Sequence, residues 1–189
     1  MAQSKTNLIT LGLSGKLGNT LIFSQRYGKT IVSVPPSYKP EQSEKQKAQR
    51  LKFQAAMAYA KAALQNSEIK AAYTAAAKEG QNALNVAVAD MMHAPVIHGI
   101  NLDNYYGKPG DTILIKATDD FMVASVTVEI YDRDGGFIEG GNATANEKGT
   151  EWTYTATTGS DDFYGNKVTV KAMDMPANLS EKVQIITPG

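Results

Sequence analysis

The chain has 189 residues, 42% hydrophobic and 20% charged, with no cysteine and a formal net charge of zero. That length admits one domain or two small ones, and the composition is that of an ordinary globular protein rather than a disordered one. The missing cysteines exclude disulfides, thiol catalysis and thiolate metal sites, and no apolar run is long enough to cross a membrane as a helix.

The zero hides a division. Residues 1–95 carry 12 Lys and Arg against 5 Asp and Glu, and residues 96–189 carry 7 against 14. Opposite charge in the two halves predicts two units in different electrostatic surroundings.

In chain order, residues 1–19 lack a basic start followed by a sustained apolar stretch. No secretory signal is therefore expected. The default location is cytoplasmic, or outside the cell by a route without a classical signal. The next stretch, "GLSGKLGNTLIFSQRYGKTIVSV" (Gly12–Val34), contains Gly15-Lys16 and Gly28-Lys29-Thr30. A phosphate loop needs G-x-x-x-x-G-K-[ST] between a strand and a helix. The first pair has Thr10 and Leu17 where glycine and a hydroxyl belong. The second has Phe23 for the first glycine, and β-branched residues and two prolines follow it, so no helix opens there. A hairpin is expected instead, with Leu21 and Phe23 on one face, Thr20, Ile22 and Ser24 on the other, and Arg26-Tyr27-Gly28-Lys29 as its turn. Gly12, Gly15 and Gly18 are expected in a loop or bulged approach.

After Pro40, "EQSEKQKAQRLKFQAAMAYAKAALQ" is rich in good helix formers. Its expected apolar face combines Leu51, Ala55, Ala58 and Ala62 with Phe53, Met57, Ala60 and Leu64. Asn66 or Ser67 can cap a second helix, "EIKAAYTAAAKEG", with Ile69, Ala72, Tyr73 and Ala76 on one side. Gly80 ends or bends it. A third helical piece, "QNALNVAVADMM", runs to about Met92, and Pro95 closes the region. A unit this thin in core is expected to lean on the second domain, on another copy or on a larger assembly.

From Val96 the hydrophobic period becomes two. "DTILIKA", "VASVTVEIYD", "FIEGG", "EWTYTAT", "NKVTVKAMD" and "EKVQIITP" read as short strands separated by Gly, Asp and Asn. This predicts an antiparallel sandwich, with Ile113 and Ile115 alternating against Thr112, Leu114 and Lys116, then Val126, Val128 and Ile130 on one face, and a tight turn at Asp134-Gly135-Gly136. The expected class is α+β in two units: a basic hairpin-plus-helical module over 1–95, a linker or first strand over 96–108, and an acidic sandwich over 109–189.

Ala117 to Asp119, the Val-rich run Val123 to Ile130, Trp152 with Tyr154, and the closing Ala172 to Asn178 follow one another in that order. Through these elements residues 109–187 resemble the bacterial immunoglobulin-like domains. The closing element carries Ala177 where glycine usually precedes the asparagine. The resemblance implies an immunoglobulin-like fold and no activity. The N-terminal "SGKLGN…QRYGKTIV" with its Ala-rich continuation resembles an uncharacterised bacterial family, which adds no function.

Candidate chemistry is sparse. His93 and His98 flank Pro95 without helical i, i+4 spacing, and read as surface or linker residues. No G-x-S-x-G elbow motivates a hydrolase, so no catalytic residue and no cofactor is expected. Asp119-Asp120, Asp132 with Asp134, Asp161-Asp162 and Asp174 fall at predicted strand ends. Turn chemistry accounts for them first, and Asp119, Asp120 and Asp174 are the candidates for calcium. Trp152 and Tyr154 share a strand face and are expected in the core rather than in an exposed sugar-binding row; Tyr105-Tyr106 stand at the domain entry. Lys39 belongs to a dense basic stretch, and Lys16, Arg26, Lys29, Lys45, Lys47, Arg50 and Lys52 form the candidate interaction patch. No nucleic-acid-binding motif accompanies them, so protein docking or self-association is expected. The chain reads as a non-enzymatic structural or protein-interaction protein, its N-terminal module docking or oligomerising and its sandwich displayed. The alternative is a glycan- or surface-binding module built on the sandwich loops, with calcium ordering them.

Overall fold

The computed structural model describes residues 10–37, 41–160 and 162–188, and the backbone of 2–4. Lys39 and Asp161 lie outside the described residues. Two compact units make up the chain, Met1–Gln49 and Arg50–Gly189. The change of hydrophobic period near residue 95 falls inside the second.

The first unit is an antiparallel sheet of β1 (Ala2–Ser4), β2 (Gly15–Leu17), β3 (Leu21–Arg26) and β4 (Lys29–Ser33), in the order β1-β4-β3-β2. Tyr27 and Gly28 alone join β3 to β4, with φ of 50° and 70°. Positive φ at both positions is what a two-residue I′ turn requires, and its twist matches that of the strands. Gly28-Lys29-Thr30 thus leads into a strand and not into a phosphate-binding helix. Gly15–Leu17, expected in a loop, instead forms edge strand β2 against Leu21–Phe23. It occupies backbone groups that β3 would otherwise leave open.

The register separates two faces, because opposed residues point the same way and side chains alternate along each strand. Lys16, Ile22, Ser24, Arg26, Lys29 and Ile31 share one face; Leu17, Leu21, Phe23, Gln25, Thr30 and Val32 share the other. The buried centre of the second face is polar. Thr30 is 2% exposed. Its Oγ1 donates to the Thr10 carbonyl at 3.0 Å and accepts from Gln25 Nε2 at 2.9 Å, and Gln25 Nε2 also reaches the Leu13 carbonyl at 2.7 Å.

Three helices follow: α1 (Glu44–Ala63), α2 (Ser67–Ala76) and α3 (Ala83–Met92). Each starts on a side-chain cap. Ser43 and Gln46 exchange bonds at the start of α1; Asn66 accepts from the N–H groups of Glu68 and Ile69; and Asn82 and Asn85 form a reciprocal box. These bonds satisfy donors that the first turn leaves orphaned. Gly80 (φ 84°) lies in the α2–α3 connection. The wide apolar face expected on α1 is corrected: Leu51, Phe53, Ala55, Ala58 and Ala62 are exposed, and only Ala56 and Ala60 of the helix are buried. Alanine brings backbones close without burying much area, so alanine periodicity overstated the buried stripe.

The sandwich sets β5 (Val96–Asn101), β6 (Thr112–Thr118), β10 (Glu151–Thr155) and β9 (Thr144–Ala145) in one sheet, ordered β5-β6-β10-β9. The other is β12 (Leu179–Ile185), β11 (Lys167–Asp174), β7 (Val123–Tyr131) and β8 (Phe137–Asn142), ordered β12-β11-β7-β8. All pairings are antiparallel, and the order is that of an immunoglobulin-like sandwich. Ile113, Ile115 and Ala117 from one sheet meet Val126, Val128, Ile130, Val168 and Val170 from the other, with Trp152 and Tyr154 in the same core. Trp152 is 6% exposed, so it belongs to the core as its strand pattern predicted.

A second, smaller core joins helices to sandwich. Ala60, Tyr73, Val86 and Ala87 are buried together, and Phe121 and Met175 from the sandwich loops pack against them. The Tyr73 and Phe121 rings lie 4.4 Å apart, centroid to centroid.

Candidate functional site

The helix–sandwich junction gathers carboxylates. Asp90 interrupts the apolar run of α3, Asp119 follows β6, and Asp174 ends β11. One oxygen from each lies within 4.8 Å of the other two. Asp90 is wholly buried and Asp174 nearly so, while Asp119 is half-buried.

The surrounding bonds are uneven. Tyr73 donates its hydroxyl to Asp90 Oδ2 at 2.5 Å, and the Tyr59 and Tyr73 hydroxyls are 3.2 Å apart. Asp174 is fully engaged: Asn178 gives its backbone N–H to Oδ1 at 2.6 Å and its amide Nδ2 to Oδ2 at 2.8 Å. Asp119 Oδ2 accepts from the Phe121 N–H at 3.2 Å. Asp90 Oδ1 and Asp119 Oδ1 are buried without a partner. Among the described residues, no Lys or Arg pairs with any of these carboxylates.

This placement costs the ionised forms. Burial pushes the Asp90 carboxyl well above the ordinary carboxylate range; the Tyr73 hydroxyl opposes that shift and the neighbouring Asp119 adds to it. Burial also raises Asp174, against the pull of the Asn178 bonds. Tyr73 is raised by burial and then by donating to Asp90.

Asn178 ties the junction together. Its Nδ2 also faces the carbonyls of Asp90, Met91 and His93 at 3.2, 3.4 and 3.3 Å. These carbonyls lie at the end of α3, where no further helical donor exists. Ser180 Oγ donates to the Pro95 carbonyl at 2.5 Å just beyond. Asp119 and Asp120 also line an open groove of about 490 Å³, with Met92, His93 and Thr118.

The sequence candidates separate in space. Asp119 and Asp174 come together, joined by Asp90. Asp120 instead holds His93 Nδ1 at 2.6 Å, and His98 Nε2 meets Thr118 Oγ1 at 2.6 Å. Asp132 is a turn residue, its Oδ1 accepting from the N–H groups of Asp134 and Gly136. Lys16, Arg26 and Lys29 share one face of the first unit, with Arg26 directly opposite Lys29. On α1, Lys47 pairs with Glu44 at 2.7 Å, Lys52 donates to the Met92 carbonyl at 2.7 Å, and Lys45 and Arg50 are exposed. Asp90 was missed as a candidate; its signal is an acid inside "ALNVAVADMM", where every neighbour is apolar or amide.

A third buried acid, Glu139, serves the sandwich. Its Oε2 accepts from Thr157 N and Oγ1 and from Thr158 N, all within 3.0 Å, fastening β8 to the chain after β10. Burial, with the Glu139 charge next, pushes the nearby Tyr105 hydroxyl up to about 12.

No protein-family model matches the chain, and no curated protein matches it. A solved structure similar to part of it is that of CopC from Methylosinus trichosporium OB3b. The two are 12% identical with a TM-score of 0.36, over 51% of this chain and 95% of that one. Among the described residues, no helix is long and apolar enough to cross a membrane.

Proposed function

We propose that the chain is a non-enzymatic structural protein that self-associates through its N-terminal sheet and displays the sandwich. One observation carries the reading. Among the described residues of Met1–Gln49 the only buried side chain is that of Thr30, while Leu11, Leu13, Leu17, Tyr27 and Val34 are exposed. A four-stranded sheet in which no apolar side chain among the described residues is buried lacks the usual source of stability. On the face with Leu17, Leu21, Phe23 and Val32, Leu17 is exposed and the other three are only half-buried, so that face needs further cover, and exposed apolar surface of this kind marks an interaction site.

The occupant argued for is a second copy of the chain, because charge selects it. Met1–Gln49 carries 7 Lys and Arg against 2 Asp and Glu, and Arg50–Gly189 carries 12 against 17, a net of +5 against −5. The basic face with Lys16, Arg26 and Lys29 therefore finds its complement on the larger unit of another molecule. Such potentials steer and orient association, and the apolar face supplies the burial.

Amide exchange over Gly15–Ser33, followed against protein concentration, tests this reading. If copies cover the sheet, protection of β2, β3 and β4 rises with concentration while that of β7 and β11 stays constant. Protection of the sheet that is independent of concentration contradicts the proposal.

A further inference from the structure

We propose that Asp90, Asp119 and Asp174 form a binding site for a calcium-sized divalent cation that clamps α3 to the sandwich. Three observations converge. First, one oxygen of each carboxylate lies within 4.8 Å of the others. A calcium ion holds oxygens at about 2.3–2.6 Å, so two ligands on opposite sides of it stand roughly that far apart. Second, Asp90 is 0% exposed, yet its Oδ1 has no hydrogen-bond partner, and neither does the buried Oδ1 of Asp119 beside it. Buried polar atoms in a folded protein are ordinarily satisfied, so unpaired carboxylate oxygens on two members of the cluster call for a partner such as an ion. Third, no Lys or Arg among the described residues neutralises the cluster. Two of the three acids are nearly inaccessible, and like charges so close cannot all ionise without a counter-charge.

The donor chemistry selects the cation. Every donor is a carboxylate oxygen, with no imidazole or thiolate in the set, which suits a hard ion. The shells behind the ligands are in place: Tyr73 holds Asp90 Oδ2, and Asn178 holds both oxygens of Asp174. Such partners fix ligand orientation. Asp119 reaches both the cluster and the open groove beside Met92 and His93, which gives the ion a way in and leaves room for water to complete its coordination. The three ligands come from α3, from the loop after β6 and from the end of β11, so the ion would add a link to those that the small Tyr73–Phe121 core and the Asn178 bonds already make. Sequence spacing could not reveal this, because the ligands are brought together only by folding.

The test uses the full chain stripped with a chelator, then titrated with calcium chloride alone, by calorimetry and by thermal unfolding. The expected result is saturable heat and a rise in Tm that chelator reverses. Asp119→Asn, at the most accessible ligand, removes one of the crowded charges, so it should not lower the metal-free Tm, and it should weaken calcium binding by at least about tenfold. Terbium in place of calcium should show emission excited through tyrosine, which calcium displaces. Absence of heat and of a Tm shift at millimolar calcium overturns the proposal. So does an Asp119→Asn protein that binds calcium as the wild type does, which would leave a proton shared between Asp90 and Asp119 as the occupant. A larger response to magnesium than to calcium overturns the assignment to a calcium-sized ion.

Discussion

Asn178→Ala should loosen the helix–sandwich junction more than any other single surface change near it. Asn178 is half-buried, and its Nδ2 carries two protons for four acceptors. The bond to Asp174 Oδ2 is the shortest, at 2.8 Å. Asp174 is 2% exposed, so its released oxygen cannot turn to water. A buried acceptor left unpaired costs about 1–3 kcal/mol, at the upper end for a charged group. The carbonyls that end α3 lose their shared donor as well, which brings the expected loss to about 3 kcal/mol. For a unit of this size that corresponds to a Tm lower by about 6–12 °C. The backbone bond from Asn178 N to Asp174 Oδ1 survives the change. The assay is urea unfolding with chelator present, so that no metal contributes, and with an unchanged m-value as the sign that only the native state was altered. Asn178→Asp keeps the shape but sets an acceptor against Asp174, and should cost at least as much. A loss below about 0.5 kcal/mol for Asn178→Ala would refute the reasoning, because that is what a surface side chain without partners costs.

Ala177→Gly should stabilise the protein by about 0.5–1 kcal/mol: Ala177 has φ 69°, where a Cβ is penalised, and glycine removes that strain at some cost in chain entropy. Thermal unfolding checks it, and a lower Tm would mean that the turn tolerates alanine without strain. Lys29→Glu should act in two directions. It replaces a like-charged pair opposite Arg26 by an attractive one, favouring the hairpin by about 0.2–1 kcal/mol, while weakening association between copies. Amide exchange at high dilution reads the first effect and sedimentation the second; stronger association would refute the role of the basic face. Glu129 is held below the usual carboxylate value of about 4.3, first by the Lys171 ammonium at 2.8 Å and then by the Tyr131 hydroxyl. Its folded value is the lower one, so its contribution is present at neutral pH and is lost as pH falls below about 4 through the folded value. In Lys171→Met the Glu129 carboxyl, followed by NMR, should titrate closer to its ordinary value; an unmoved titration would remove Lys171 as the cause.

The sandwich was legible because its strands are half-buried and alternate. Ile113 and Ile115, then Val126, Val128 and Ile130, point inward as their period of two requires. The hairpin was legible from Gly28 and from the alternation around Phe23. The helical face was less so. Alanine counts as apolar in any periodic pattern, yet Ala55, Ala58 and Ala62 are exposed and Ala56 is buried. The change of period near residue 95 is real, but it does not coincide with the break between compact units, because Tyr73, Val86 and Ala87 pack against Phe121 and Met175. Long-range packing of that kind leaves no local trace. Two of the three carboxylates of the cluster were visible, since Asp119 and Asp174 sit at strand ends, where turn acids and ligands both gather. Asp90 was hidden in a helix, and Asp120, adjacent to a ligand candidate in sequence, turned out to face His93.

The central claim is that the N-terminal sheet finds its missing core in another copy. Sedimentation equilibrium of the full chain over a range of concentrations, at low and at high salt, tests it most directly. A mass above that of one 20.3 kDa chain is expected, rising with concentration and falling as added salt shortens the range of the charges. A single-chain mass at every concentration and in both salts would contradict it.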